Sequence, residues 1–348
     1  MFETYKFIGQ RTNWIHHNIY QCLRHICIHL DTVGTIPNNN RLLPISFYKK
    51  FHHQTQKKFL KLYRNFAKVA KQHTVTERNK FLFVFRLQNK IEKMLRDPSF
   101  WITRNVRSIQ KLIDAAKPIT HYGFDILTNG EKPPRYLHYD YIYQHTKFCP
   151  FCGISILNPK EVHNEDYDHY LDKDNYPLAA ANLINLVPMC QSCNQRHKGT
   201  KNIIKKNIAF RKAFFPYGTK RADLSLLEST LFNSKGYPDW KVSFLPNTLE
   251  TNTWDEVFNV RKRLEKTVLL HRYERFLDNL IDLYKVGNIS SSSSDQEIKD
   301  YLISTAYPYF VRTREMASPS LMDCKIAELF IQNIDSNPVI ITMLRSGL

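Results

Sequence analysis

The chain has 348 residues, 43% of them hydrophobic and 13% aromatic, and carries a formal charge of +18. That apolar content excludes a disordered polyelectrolyte and suffices for two or three packed units. No run of 18 apolar residues occurs, and Met1 to Lys6 lack the basic start and apolar middle of a secretory signal; a membrane protein is excluded, and the cytoplasm is the expected compartment.

The charge is concentrated at one end. Residues 1–145 hold 24 Lys and Arg against 9 Asp and Glu, a balance of +15, whereas residues 146–348 hold 26 against 23, only +3. The first region is therefore expected to face a polyanion, with nucleic acid bound through counterion release. Cys22 and Cys27 stand among Ile and Leu and read as ordinary buried thiols. Between Gln56 and Lys71, Phe59, Tyr63, Phe66 and Val69 or Ala70 recur at helical spacing, and Lys57, Lys61, Arg64, Lys68 and Lys71 recur on the opposite side. A second helix is predicted over 76–96, capped by Thr76 and Glu77 and ending before Pro98. It sets Phe81, Val84, Leu87, Ile91 and Leu95 against Arg86, Lys90 and Lys93. Two neighbouring basic faces are candidates for phosphate contact.

A third helix is expected from Ser99 to about Lys117, bounded by Pro98 and Pro118. The stretch from His121 to Pro134, with Gly123, Asn129-Gly130 and Pro133-Pro134, reads as a loop-rich connector. Tyr136 to Tyr143 reads as a strand or short helix. The first unit, a basic and mostly helical nucleic-acid-binding region, thus covers 1–145.

Next come two C-x2-C pairs, Cys149-Pro-Phe-Cys152 and Cys190-Gln-Ser-Cys193, separated by 37 residues. Each offers two thiolates, and four thiolates suit one tetrahedral structural Zn²⁺ in a reducing compartment. Between and beside them stand Asp168-His169, Asn185 and Asn194, followed by Lys198-Gly199. Lys198, Lys201, Lys205 and Lys206 form a local basic cluster suited to a nucleic-acid backbone.

This order of residues resembles the HNH, or ββα-metal, nuclease family. The matching text is Cys149-Pro-Phe-Cys152, Asp168-His169-Tyr170-Leu171, Asn185-Leu186-Val187-Pro188-Met189-Cys190 and Cys193-Asn194-Gln195-Arg196-His197-Lys198, and it covers about residues 147–200. The chain departs at Asp172, where the family often has Pro. Asn182 competes with Asn185 for the middle Asn, and the five-residue distance to Cys190 favours Asn185. The resemblance implies a zinc-clamped ββα unit over 146–215. It implies His169 as general base, Asp168 and Asn194 as ligands of a catalytic Mg²⁺ or Mn²⁺, and Asn185 orienting His169 through its other ring nitrogen or nearby backbone. His197 and His163 are the runner-up histidines.

Beyond the second pair, 203–215 alternates apolar and basic residues until Pro216-Tyr217-Gly218. A strand is expected over 240–245. A long helix follows on the stripe Val257, Val260, Leu264, Val268, Tyr273, Phe276, Leu280 and Leu283. A flexible Ser-rich joint at 290–294 precedes a short helix capped by Asp295, and another helix covers 319–332. This third unit, 216–348, is mainly helical. There is no G-x-G-x-x-G and no P-loop.

The expected fold is α+β, mostly helical, with the ββα-metal unit between helical flanks. The expected activity, from the resemblance, is metal-dependent endonucleolytic hydrolysis of DNA leaving 5′ phosphate and 3′ hydroxyl ends, in a bacterial or phage defence, restriction or mobile-element setting. Cleavage of RNA by the same site, an inactive zinc-held binding module, and a protein partner such as an ATPase docked on the helical flanks are the alternatives.

Overall fold

The computed structural model describes residues 1–9, 13–42, 47, 49–99, 106–128, 135–159, 162, 167–234, 236–315 and 318–348. The fold is mostly helical with small antiparallel sheets. Helices α1 (Trp14–Val33), α2 (His53–Lys71), α3 (Val75–Gln88), α4 (Ile91–Arg96), α5 (Gln110–Thr128) and α6 (Arg135–His145) precede the hairpin β1 (Tyr167–His169) and β2 (Leu186–Pro188). A π-helix, Ser192–Lys198, follows. Then come the hairpins β3 (Lys205–Lys206) with β4 (Ala209–Phe210) and β5 (Asp223–Ser225) with β6 (Ser243–Leu245). The chain ends in α7 (Leu249–Phe258), α8 (Leu269–Val286), α9 (Asp295–Tyr301), α10 (Tyr307–Thr313), α11 (Pro319–Asn333) and α12 (Pro338–Gly347). Among the described residues, no helix is long and apolar enough to cross a membrane.

Two apolar cores share the β1–β2 hairpin. In α1, Ile15, Ile19, Cys22, Leu23, Ile26, Cys27 and Leu30 are buried at three- and four-residue steps, and the left-handed Gly34 closes the helix by donating to the Leu30 carbonyl. That face meets Phe59, Tyr63, Phe66, Ala67 and Ala70 of α2, and the buried residues of α3 and α5 complete this core. Cys22 and Cys27 lie inside it, where burial pushes both thiols up to about 12. The second core joins the cysteine segment to β5, β6 and the C-terminal helices. Because side chains alternate along a strand, Leu186 of β2 enters the first core and Val187 the second. The hairpin is thereby packed on both faces.

Several elements differ from the sequence reading for physical reasons. Helix α5 runs through Pro118 and Gly123 to Thr128, where a boundary and a connector were expected. A Cβ at Gly123 would lie 2.5 Å from Ile19 Cδ1 and 3.0 Å from Ala181 Cβ, so the glycine permits close packing and does not mark a turn. The remainder of that connector, 129–134, and the stretch 100–105 of the expected third helix lie outside the described residues. Helix α3 is capped by Thr74, which forms a reciprocal capping box with Glu77, two residues before the expected cap at Thr76. The helix also breaks at Asn89–Lys90, where the Asn89 amide donates to the carbonyls of Phe85 and Leu178.

The segment expected to be strand over 240–245 is strand only at 243–245. The long C-terminal helix is interrupted at Asn259, which adopts φ 52°. Ser294, not Asp295, caps α9, again with a reciprocal box to Glu297. The Ser290–Ser293 turn is held by the Ser293 hydroxyl and by Arg345, which donates to the Ser293 carbonyl.

Candidate metal centre and the neighbouring hairpin

The cysteine pairs meet as the spacing predicts. Knuckle geometry at the first pair comes from the Cys152 and Gly153 amides donating to the Cys149 carbonyl, with Gly153 at φ 61°. The Sγ atoms of Cys149, Cys152, Cys190 and Cys193 all lie within 4.8 Å of one another and all four residues are buried. Cys152 Sγ and Cys190 Sγ are 3.9 Å apart; sulfurs in a tetrahedral Zn–S₄ centre with bonds of about 2.3 Å are about 3.8 Å apart. The donor set therefore fits a structural zinc ion. Burial pushes the Cys149 thiol well up, whereas hydrogen bonds from Cys149 and its neighbours hold Cys152 well below the usual thiol range.

The C-terminal region grips this centre. Arg263 Nη1 donates to Cys193 Sγ at 3.4 Å, setting a cation against the thiolate charge. The buried Trp254 indole donates to the Phe151 carbonyl at 2.8 Å, and its ring packs edge-on against Phe2 and Phe244. His197 is partly buried near Arg263, and both desolvation and that guanidinium lower its pKa. His163 lies outside the described residues.

Strand β1 pairs antiparallel with β2 in the register Asp168↔Val187 and His169↔Leu186. Alternation sends the two side chains to different partners. Asp168, 8% exposed, stands 2.8 Å from the ammonium of Lys198, an ion pair without the alignment of a hydrogen bond. The same ammonium donates to the His169 carbonyl at 3.0 Å. Lys198 thus ties the π-helix that follows the second cysteine pair to β1. Burial raises the Asp168 carboxyl above its ordinary range, and Lys198 opposes that shift.

His169, 9% exposed, turns toward α5. Its Nε2 lies 3.0 Å from the Ala180 carbonyl, which as an acceptor fixes the tautomer with the proton on Nε2. Its Nδ1 has no hydrogen-bond partner among the described residues. The Phe124 ring packs at 4.3 Å between centroids. Desolvation, with Lys173, His121 and Lys198 nearby, brings the imidazole down to about 3, so it is neutral at physiological pH.

Asn185 is fully buried and acts on the backbone, not on the imidazole. It accepts from the Leu171 amide at 2.8 Å and donates to the carbonyls of Leu171 at 3.0 Å and Ala179 at 3.4 Å. This holds the turn that leaves β1. Asn182, the rival Asn, donates to Asn89 and accepts from Asn13, joining the site to α1 and α3. Asn194 is half-buried one turn before Lys198, and its side-chain amide has no partner among the described residues.

The candidate nucleic-acid contacts divide into two sets. Lys57, Lys61, Arg64, Lys68 and Lys71 are exposed on α2, and Arg86, Lys90 and Lys93 on and after α3. Near the site the lysines are engaged. Lys198 is 1% exposed, so it is an internal cation and not a surface contact. Lys201 donates to the Val257 carbonyl, Lys206 pairs with Glu256 at 3.0 Å, and the Lys205 ammonium lies 5.7 Å from the Phe210 ring. Phe124 and His121 are not legible beside His169 in the sequence because the stretch 121–134 carries glycine and reads as a connector, and Lys173 because it stands in the loop after β1.

Buried neutral histidines make acid a specific stress. His16 stacks on Phe85 and is lowered to about 4; His138 is hydrogen-bonded to the Tyr167 hydroxyl at 2.9 Å and is lowered to about 3. With His169 at about 3, all three fall below the unfolded value. The unfolded chain therefore binds protons that the fold excludes, and stability is lost as pH falls below about 6.5. Denaturant titrations should show a loss of about 1 to 2 kcal/mol per histidine between pH 6.5 and 5. Replacing His138 with Phe should remove about a third of that slope; equal stability at pH 7 and 5 would contradict the assignment.

No family model matches the chain, and no solved structure matches it. A 73-residue stretch, 21% of the chain, is 37% identical to protein ea31 of Escherichia phage lambda. The chain spans 23% of that relative's length.

Proposed function

We propose that this chain is a metal-dependent phosphodiesterase of the HNH kind that hydrolyses DNA. One observation carries the reading: a buried four-thiol centre anchors a hairpin and a helix that carry the Asp168 carboxylate, paired with Lys198, and, without hydrogen-bond partners among the described residues, the Nδ1 of His169 and the side-chain amide of Asn194. A phosphodiester resists attack because its oxygens repel nucleophiles and its leaving alkoxide is poor, so a base and a cation are required.

His169 supplies the base, and the negative charge of a phosphate beside the buried ring would lift the low proton affinity that burial gives it. Its Nδ1 lone pair accepts a proton from the attacking water, while the Ala180 carbonyl holds Nε2–H and stabilises the imidazolium that results. Asn185 keeps this geometry by fixing the backbone after β1. Asp168 and Asn194 would be the oxygen donors for Mg²⁺ or Mn²⁺, a set that would suit a hard cation which retains several waters. That cation, when bound, neutralises charge on the phosphoryl and leaving oxygens. Phage or mobile-element biology is the proposed setting.

A second reading has its own support: Lys198 already neutralises Asp168, as in a zinc-held scaffold that only binds. Incubating the full chain with supercoiled plasmid, single-stranded DNA and RNA, in Mg²⁺, Mn²⁺ or EDTA, separates the two. Metal-dependent nicks that DNA ligase reseals are expected. Cleavage of RNA alone would overturn the DNA assignment, and no cleavage of any substrate would leave the scaffold.

A further inference from the structure

Helix α5, from outside the cysteine-bracketed unit, forms the wall beside His169. Its Phe124 ring packs on the imidazole at 4.3 Å. From the loop after β1, the Lys173 ammonium lies 5.6 Å from the Phe124 centroid. The Lys173 carbonyl in turn lies 3.4 Å from His121 Nε2, one turn before Phe124 on α5. A further ion pair, Lys117 to Asp174 at 2.9 Å, fastens the same loop to the same helix. His169, Phe124, Lys173 and His121 are therefore contiguous, and three of the four are basic side chains.

Two acids of the same loop have partners of their own. Asp174 is held by Lys117, and Asp172 accepts from the amide and side chain of Asn175. Lys173 is half-buried, with no acidic partner among the described residues. Lys173 adds positive potential at the imidazole, whereas burial lowers His121 and keeps it neutral. A cation left without a carboxylate beside a neutral imidazole is suited to an anion, and a polymer with a phosphate at every step would bring one there.

We infer that Lys173 binds the backbone phosphate next to the scissile one, with His121 holding the Lys173 carbonyl, so that α5 aligns the DNA strand over His169. This rests on the reading of His169 as the base. Lys173 is a positioning residue, acting on the strand and not on the reacting phosphorus.

The test is binding of a labelled DNA duplex to the full chain in Ca²⁺ across a salt series, alongside cleavage kinetics in Mg²⁺. Lys173→Gln should weaken binding about fivefold and lower the slope of log K against log salt by about 0.9, the value of one phosphate contact. His121→Gln should weaken binding less, and Lys173→Arg should restore both affinity and slope. In cleavage, the rise in KM should exceed any fall in kcat. Unchanged affinity and slope in Lys173→Gln, with the wild type still cutting DNA, would overturn this inference and leave the nuclease reading intact. A wild type that never cuts, but whose affinity and slope fall in Lys173→Gln and return in Lys173→Arg, would retain the phosphate site and remove the nuclease reading.

Discussion

Replacing Cys149 or Cys193 with serine should strip the chain of one equivalent of zinc and lower its thermal midpoint by about 10 to 20 °C. The size follows from where the thiols stand. All four are buried within 4.8 Å of one another in a core that also holds Phe151, Trp254, Val257 and Leu264. Without a dication, four sulfurs packed this closely must share protons in a site that burial makes hostile to charge. Structural zinc in small domains supplies about 10 kcal/mol or more of folding free energy. In a larger chain with a second core, losing about 5 kcal/mol corresponds to the stated shift at about 2–4 °C per kcal/mol. The damage should spread through the Trp254–Phe151 and Arg263–Cys193 contacts into the C-terminal helices. Elemental analysis and calorimetry of the serine variants check this. A chain purified without zinc that melts like the wild type would contradict it.

Lys198→Met should cost about 3–5 kcal/mol at pH 7, because it leaves the Asp168 carboxylate buried without its cation. It also removes the hydrogen bond to the His169 carbonyl, which joins the π-helix to β1. The pH dependence has a definite sign. Burial already raises the Asp168 carboxyl, and losing Lys198 raises it further. A carboxyl raised in the fold destabilises as pH climbs from the unfolded value through the folded one. The gap between variant and wild type should therefore be largest at pH 7 and shrink toward pH 4. Adding Asp168→Asn to Lys198→Met should recover much of the loss, since a neutral amide tolerates the site better than an unpaired charge. A single-variant penalty below about 0.5 kcal/mol, the range of ordinary surface changes, would mean that the pair does not form.

The legible parts of the chain were those governed by local period and ligand chemistry. The apolar stripe Phe59, Tyr63, Phe66 and Ala70 of α2 follows from the helix repeat, and α11 begins at Pro319 as predicted. The cysteine spacing foretold a four-sulfur cluster because few other uses of two C-x2-C pairs exist in a reducing setting. What local pattern could not convey was tertiary. Gly123 reads as a turn residue until Ile19 and Ala181 press against it, and Pro118 reads as a stop although α5 continues past it. Lys198 looked like one more surface cation, and only the packing of the π-helix on β1 makes it internal. The resemblance joins Asp168 and His169 in one site, whereas strand alternation parts their side chains: Lys198 partners the one, and Phe124 with Ala180 the other.

His169 is the proposed base. His169→Ala and the wild type, each with zinc content and thermal midpoint measured, should be compared for nicking of supercoiled plasmid in Mg²⁺. The expected result is a loss of at least about 100-fold in rate, the usual contribution of a general base, with zinc retained and the fold intact. Equal nicking by a folded, zinc-loaded His169→Ala chain would contradict it.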